Sequence, residues 1–242
     1  SISLSANWMW PCNNEGEDAR LYKAVEAISE FSIDLGINVP TGKDSLSMKQ
    51  KYKNEEVISP GTVIISAGAH CSDITKVVEP VAQLGKGSLY YINISQDDYK
   101  LGGSSFGQIL SALGSDAPTV KSASYVKTVF NTIQKLIKDN QIIAGHDVAS
   151  GGLITTLLEL FFGNINTGAT LDLSGLGEDL VKILFAENCG IVIQATNDSV
   201  FEKALNENDI TFHTLGQVAE SKSLQLRLGA QDLSFDIAEM RD

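Results

Sequence analysis

The sequence predicts an α/β (α+β) protein in two parts, from three observations. Strand-length apolar runs alternate with helix-length amphipathic segments along the chain. A stretch with little periodicity, Asp73 to Gly87, carries Pro80 and two glycines and divides the chain near residue 85, into 1–84 and 85–242. Elements of these lengths pack as sheet and helix layers around a core, and 242 residues suffice to bury one.

In the first part, residues 2–9 (ISLSANWM) read as a strand. Glu17 to Leu35 is amphipathic: Leu21, Ala24, Val25, Ile28 and Phe31 form an apolar stripe, and Gly36 stands where a C-terminal cap belongs. A loop, Thr41 to Ser45, then precedes a hairpin with strands near Ser45–Tyr52 and Thr62–Ala69. The second part opens with a strand from Ser88 to Ile94, a glycine-containing loop, and helices at Ser105–Leu113 and Ser122–Lys138. The longer of these turns Val126, Val129, Ile133, Leu136 and Ile137 inward. A short strand, Ile142–Ala144, leads through the loop GHDVASGG to a helix from Leu153 to Phe162. Strands near Ala169–Leu173 and Gly190–Ala195, a helix at Ser199–Leu205, and strands at Thr211–Ala219 and Leu224–Leu228 complete the chain.

Composition removes several function classes. With 43% hydrophobic and 20% charged residues the chain has the balance of a soluble globular protein. No apolar run reaches bilayer length, so no membrane association is expected; the run around Ile191 to Ala195 is strand-sized. A net charge of −12 argues against nucleic acid, whose phosphates reward clustered Lys and Arg. The densest basic group, Lys49, Lys51 and Lys53, reads as a solvated hairpin face. Cys12, Cys71 and Cys189 are odd in number and far apart, which points to small buried thiols in a cytoplasmic protein rather than to disulfides or zinc. The chain starts at Ser1 and enters a strand at once, the expectation for a piece of a longer polypeptide.

Three loops carry candidate chemistry. In Thr41-Gly42-Lys43-Asp44-Ser45, the lysine offers a point charge to an anion and the aspartate can hold a metal or that lysine. The glycine spacing of a P-loop is missing, and a polar turn with a local ion pair reads equally well. In Leu101-Gly102-Gly103-Ser104-Ser105, glycines before a helix form an anion site if their N–H groups point outward. The competing reading is a serine-capped helix after a glycine turn. In Gly145-His146-Asp147-Val148-Ala149-Ser150-Gly151-Gly152, Asp147 ends a strand where α/β sheets commonly place ligands. A carboxylate there suits Mg²⁺ shared with phosphates, and Ser150, Gly151 and Gly152 present N–H groups at a helix start. Asp147 or Ser150 as a helix cap is the alternative, and His146 reads as a packed, hydrogen-bonded histidine. GxSxG and post-strand GxGxxG motifs are missing, and His70, His146 and His213 are too dispersed in sequence to suggest a metal cluster by spacing.

Leu4 to Lys49 (LSANWMW…GEDARLYKAVEAIS…LGINVPTGKDSLSMK) closely resembles phosphoribosylformylglycinamidine synthase of the large, single-chain type. LGGSSFGQ, AGHDVASGGLITTLLEL and LFAENCGIVIQ follow in that family's order, so the resemblance covers essentially the whole chain. It implies a PurM-like fold: an incomplete N-terminal domain contributing half a barrel sheet, then a C-terminal α/β domain, together the second of two synthetase-like units. The implied partners are the rest of the same polypeptide, with its first unit and a glutaminase domain. The implied reaction takes formylglycinamide ribonucleotide, glutamine and ATP to the amidine, with Mg²⁺ on the phosphates.

Under that resemblance Asp147 is the Mg²⁺ ligand of an auxiliary ATP/ADP site, and the loop residues Ala149, Ser150, Gly151, Gly152, Gly102, Gly103 and Ser104 form the nucleotide contacts. Lys43, Asp44 and Ser45 are the candidate contributors to the catalytic cleft. Ala149 stands where many relatives have Ser and Ser150 where many have Asp; the remaining metal ligands are expected before the SANW segment. An isolated segment is therefore expected to be inactive, with a first domain whose bare apolar face favours a homodimer. Another PurM-like synthetase or kinase and a non-catalytic module are the competing readings, against which SANWM and GKDSLSM speak.

Overall fold

The structure is a computed structural model and describes residues 2–242. The chain forms two compact units, Ser1–Ile74 and Thr75–Asp242.

The first unit holds a three-stranded sheet of order β2-β1-β5, from β1 (Ile2–Met9), β2 (Asn38–Ser45) and β5 (Thr62–Ala69). Helix α1 (Glu17–Leu35) connects β1 to β2, which lie parallel, and β5 runs antiparallel to β1. The expected cap closes α1: Gly36 adopts φ 75°, its amide donates to Ile33 O, and Ile37 donates to Ser32 O. Two expectations fail here. Thr41–Ser45 is no loop but the second half of β2, where Gly42 lies opposite Ala6 because any Cβ would collide with the Ala6 carbonyl. The strand Thr62–Ala69 forms, yet it pairs with β1; the hairpin is the small one between β3 (Lys49–Lys51) and β4 (Glu56–Ile58). Lys49 and Lys51 both pair with Glu56, at 3.0 and 3.4 Å, so the basic group does decorate an exposed hairpin.

The second unit is built on a seven-stranded sheet of order β12-β11-β8-β10-β6-β9-β7. Its strands are β6 (Leu89–Asn93), β7 (Ile142–Asp147), β8 (Gly168–Asp172), β9 (Gly190–Ala195), β10 (His213–Ala219), β11 (Ser223–Leu228) and β12 (Gln231–Asp236). Only β11 and β8 pair in parallel. The helices are α2 (Ser105–Ile109), α3 (Ala123–Lys138), α4 (Gly152–Phe162), α5 (Leu180–Phe185), α6 (Asp198–Asn206) and α7 (Ile237–Arg241).

Helices cover the central strands on both faces, which explains why LYYI in β6 is apolar without alternation. Leu89 and Tyr91 enter one core with Leu153, Leu157, Leu160 and Phe161 of α4, while Tyr90 and Ile92 enter the other with Val129 of α3 and Phe201 of α6. Each such fully buried side chain contributes about 1.5–3 kcal/mol.

The division expected near residue 85 moves to 74/75 because the aperiodic segment belongs to the second unit. The amide of Ala82 donates to Leu160 O at 2.8 Å. The buried Gln194 clamps Gln83 through both its amide and its carbonyl, each at 2.8 Å, and also reaches Gly87 O at 3.1 Å. These anchors are side-chain and loop contacts, which periodicity does not register. The cysteines are also not the buried thiols expected: Cys12 is half-buried, and Cys71 and Cys189, both outside strands and helices, are exposed.

Candidate functional site

Strand β7 runs to Asp147, three residues beyond the expected end at Ala144. Because β7 is an antiparallel edge strand beside β9, the parallel-sheet argument for a ligand at its carboxyl end does not apply. What places Asp147 is the turn that follows. The buried Val148 amide donates to Gly190 O at 2.8 Å, Ala149 and Ser150 are exposed, and Gly151 and Gly152 adopt φ of 89° and 77°. A Cβ on Gly152 would meet Leu184 O at 2.6 Å, so this tight entry into α4 requires glycine.

The carboxylate of Asp147 stands in solvent with 76% of its side chain exposed. It caps nothing: the N-cap of α4 is Gly151, with no side-chain cap. The backbone carbonyl of Asp147 is instead the fixed point, accepting from Thr156 Oγ1 at 3.0 Å and bonding His146 Nδ1 at 2.8 Å. The other ring nitrogen of His146 lies 3.0 Å from Glu159 Oε2, so this histidine is held at both ends, as the sequence suggested. The amides of Ala149 and Ser150 have no protein acceptor among the described residues.

Gly151 differs from the expectation of a free donor. Its amide donates to Glu187 Oε1 at 2.8 Å, and the amide of Gly152 bonds Ala149 O at 3.1 Å. Of the four expected contact residues in this turn, only Ala149 and Ser150 keep an amide that no group among the described residues accepts.

The Gly102-Gly103-Ser104 loop follows its other reading, a capped helix start. Gly102 donates to Asp116 O, Gly103 to Leu113 O and Ser104 to Leu101 O, at 3.0, 2.7 and 3.1 Å. Ser104 Oγ caps α2 by accepting from the Gly107 amide at 3.2 Å. The Ser105 amide is taken by Glu187 Oε1 at 2.8 Å. Backbone amides spent in this way leave no outward donors, so the expected anion cradle is not formed by these three residues.

Glu187 is the residue that sequence reading missed. Burial pushes its pKa up, but the hydrogen bonds from the Ser105 and Gly151 amides outweigh that and hold it below the usual glutamate range. It lies in LFAENCG, within a run that carries the family resemblance, but neither period nor spacing singled out this glutamate.

Lys43, Asp44 and Ser45 lie in the other unit, on β2. Lys43 Nζ bonds Ser45 Oγ at 3.0 Å, and Lys43 and Asp44 line a cavity of about 360 Å³ with Ala6, Trp8, Thr41 and Leu46.

No three His, Cys, Asp or Glu side chains among the described residues gather into a metal-binding group. Asp147 with its exposed neighbours fits a cation shared with phosphate oxygens and water, which needs only one or two carboxylates from the protein. Among the described residues no helix is long and apolar enough to cross a membrane.

Residues 1–70 match the family model of the FGAR-AT PurM_N-like domain, and residues 94–229 match that of AIR synthase related protein, C-terminal domain. Curated relatives include the probable phosphoribosylformylglycinamidine synthase, chloroplastic/mitochondrial, of Arabidopsis thaliana, 38% identical over 100% of this chain. The probable phosphoribosylformylglycinamidine synthase of Caenorhabditis elegans is 35% identical over 90% of it. The chain spans 17% of the length of each of these relatives. Among solved structures, T. maritima PurL complexed with ATP superposes with a TM-score of 0.69 at 12% identity, over 99% of this chain and 37% of that one. That likeness speaks for the PurM-like fold.

Proposed function

The chain belongs to the AIR synthase related proteins, and from that premise we propose that it is a segment of a phosphoribosylformylglycinamidine synthase whose Asp147–Gly152 turn binds Mg²⁺ and the phosphates of ATP or ADP. One observation carries the reading: the exposed carboxylate of Asp147 stands two and three residues before the amides of two exposed residues, Ala149 and Ser150, that no group among the described residues accepts. Oxygen ligand and amide donors on one rigid turn are the complement of a cation–phosphate pair.

Each residue then has a task. The Asp147 carboxylate is the cation's protein ligand, and His146 and Thr156 keep it in place by fixing the residue's own carbonyl. The Ala149 and Ser150 amides donate to phosphate oxygens, a role that needs neither a serine hydroxyl at 149 nor an aspartate at 150. Mg²⁺ bound there neutralises phosphate charge. We infer that the whole protein joins the amide nitrogen of glutamine to formylglycinamide ribonucleotide at the expense of ATP, and that this turn serves an auxiliary, structural nucleotide. Lys43, Asp44 and Ser45 are the proposed contributors to the cleft.

The remainder of a longer polypeptide, with a first synthetase-like unit and a glutaminase domain, is the proposed partner of the exposed apolar side chains in the first unit, Ile64 and Ile65 of β5 among them. The segment alone is expected to be inactive, and to use the same apolar side chains to form a homodimer. The compartment proposed from the unpaired cysteines is reducing, as the cytoplasm is.

The test is Asp147→Asn in the full-length protein. Losing one charged ligand forfeits about 1.5–3 kcal/mol, so Mg·ADP affinity should fall about 10- to 100-fold, with the stability of the nucleotide-free protein unchanged. A large fall in turnover with unchanged stability would reject the purely structural role of the nucleotide. Unchanged affinity would remove Asp147 from the site.

A further inference from the structure

We propose that Glu187 is the positioning residue of the nucleotide turn, joining it to the glycine-rich turn before α2 through one carboxylate oxygen that accepts the amides of Gly151 and Ser105, each at 2.8 Å. The proposal rests on the nucleotide reading of Asp147–Gly152.

Glu187 begins a run of four residues, Glu187 to Gly190, each of which is hydrogen-bonded to another segment of the chain. The fully buried Asn188 donates through Nδ2 to Ser95 Oγ at 3.1 Å and to the carbonyls of Asp97 and Asp98 at 3.4 and 3.1 Å. The Cys189 carbonyl accepts from the Ser95 amide at 2.9 Å. The Gly190 carbonyl accepts from Val148 at 2.8 Å, at the root of the same turn that Glu187 holds at Gly151. The turn is thus fixed on both sides of Ala149 and Ser150, and the two unused amides are the part left between the anchors.

The charge of Glu187 is what makes the clip firm, because a carboxylate accepting two N–H groups forms stronger bonds than a neutral acceptor. It also has a second effect. With Asp147 it puts two negative charges around the phosphate position, so bare nucleotide is repelled and the cation complex is admitted. Glu187 therefore contributes both the geometry of the turn and its demand for a divalent cation.

The experiment uses Glu187→Ala and Glu187→Gln in the full-length protein. It reads Mg·ADP affinity by calorimetry, with and without Mg²⁺, and hydrogen exchange at Ser105 and Gly151. Glu187→Ala should lose protection at both amides and bind Mg·ADP about 10- to 100-fold more weakly, the range typical of a lost outer-shell partner. Glu187→Gln, which keeps an acceptor oxygen and drops the charge, should recover most of that affinity and raise the affinity for ADP without Mg²⁺. Should Glu187→Ala not fold, Glu187→Asp, one methylene too short to span both amides, is read the same way. Lost protection with wild-type affinity would make Glu187 merely structural and overturn the proposal, as would protection that survives the substitution. If the wild type binds no Mg·ADP, the nucleotide reading itself fails, and the proposal with it.

Discussion

Asp97 shows how a single carboxylate contributes to the acid response of the second unit. The Thr119 amide, then Lys121 and Lys100, all at 3.0 Å, hold it well below the usual aspartate range against the opposing effect of burial. A depressed folded-state value means that its stabilisation is complete above the unfolded value of about 3.9 and is lost as the pH falls below that toward the lower folded value. Glu187 and Asp172 are lowered too and act in the same direction. Asp97→Asn is therefore expected to lower Tm at pH 7 and to shrink, without abolishing, the drop in Tm between about pH 5 and pH 2. Thermal melts across that window check it; an Asn variant with the wild-type acid slope would show that Asp97 carries none of the linkage. At this scale sequence reading saw what motif and spacing can show. It singled out Asp147 and the turn as candidates, but not Glu187, whose partners Gly151 and Ser105 lie 36 and 82 residues away and obey no period.

Between elements, the legible features were those that repeat. Helices α1 and α3, strands β1 and β5 and the buried run of β6 stand close to where apolar spacing put them. Pairing was not legible, because β5 chooses β1 over its neighbour in sequence, and the short α5 and α7 are too brief to carry a period. The aperiodic segment 75–87 was misassigned for a related reason: its anchor is one glutamine on a distant strand. Gln194→Leu should release the Gln83 amide and carbonyl, at a cost of about 0.5–1.5 kcal/mol per hydrogen bond lost. Chemical denaturation would measure this, with proteolysis expected to cut first within residues 75–87. A variant of wild-type stability would mean that the clamp contributes nothing to holding this segment on the sheet.

For the whole molecule, the two units differ in how fully they are buried. The second has both faces of its sheet covered, whereas the first leaves Tyr22, Ile33, Ile64 and Ile65 in solvent. Exposed side chains of that size mark an association surface. The 242-residue chain is expected to self-associate at high concentration, and Ile64→Lys with Ile65→Lys to shift its sedimentation to the monomer; a wild type that stays monomeric would contradict this. The nucleotide turn is the other claim at this scale, since it is what would make the segment part of an ATP-dependent ligase. Its most direct test is calorimetric titration of ADP into the full-length protein with and without Mg²⁺, repeated on Asp147→Asn. The account predicts binding that needs Mg²⁺ and falls about 10- to 100-fold in the variant; equal binding by both proteins, or binding indifferent to Mg²⁺, would contradict it.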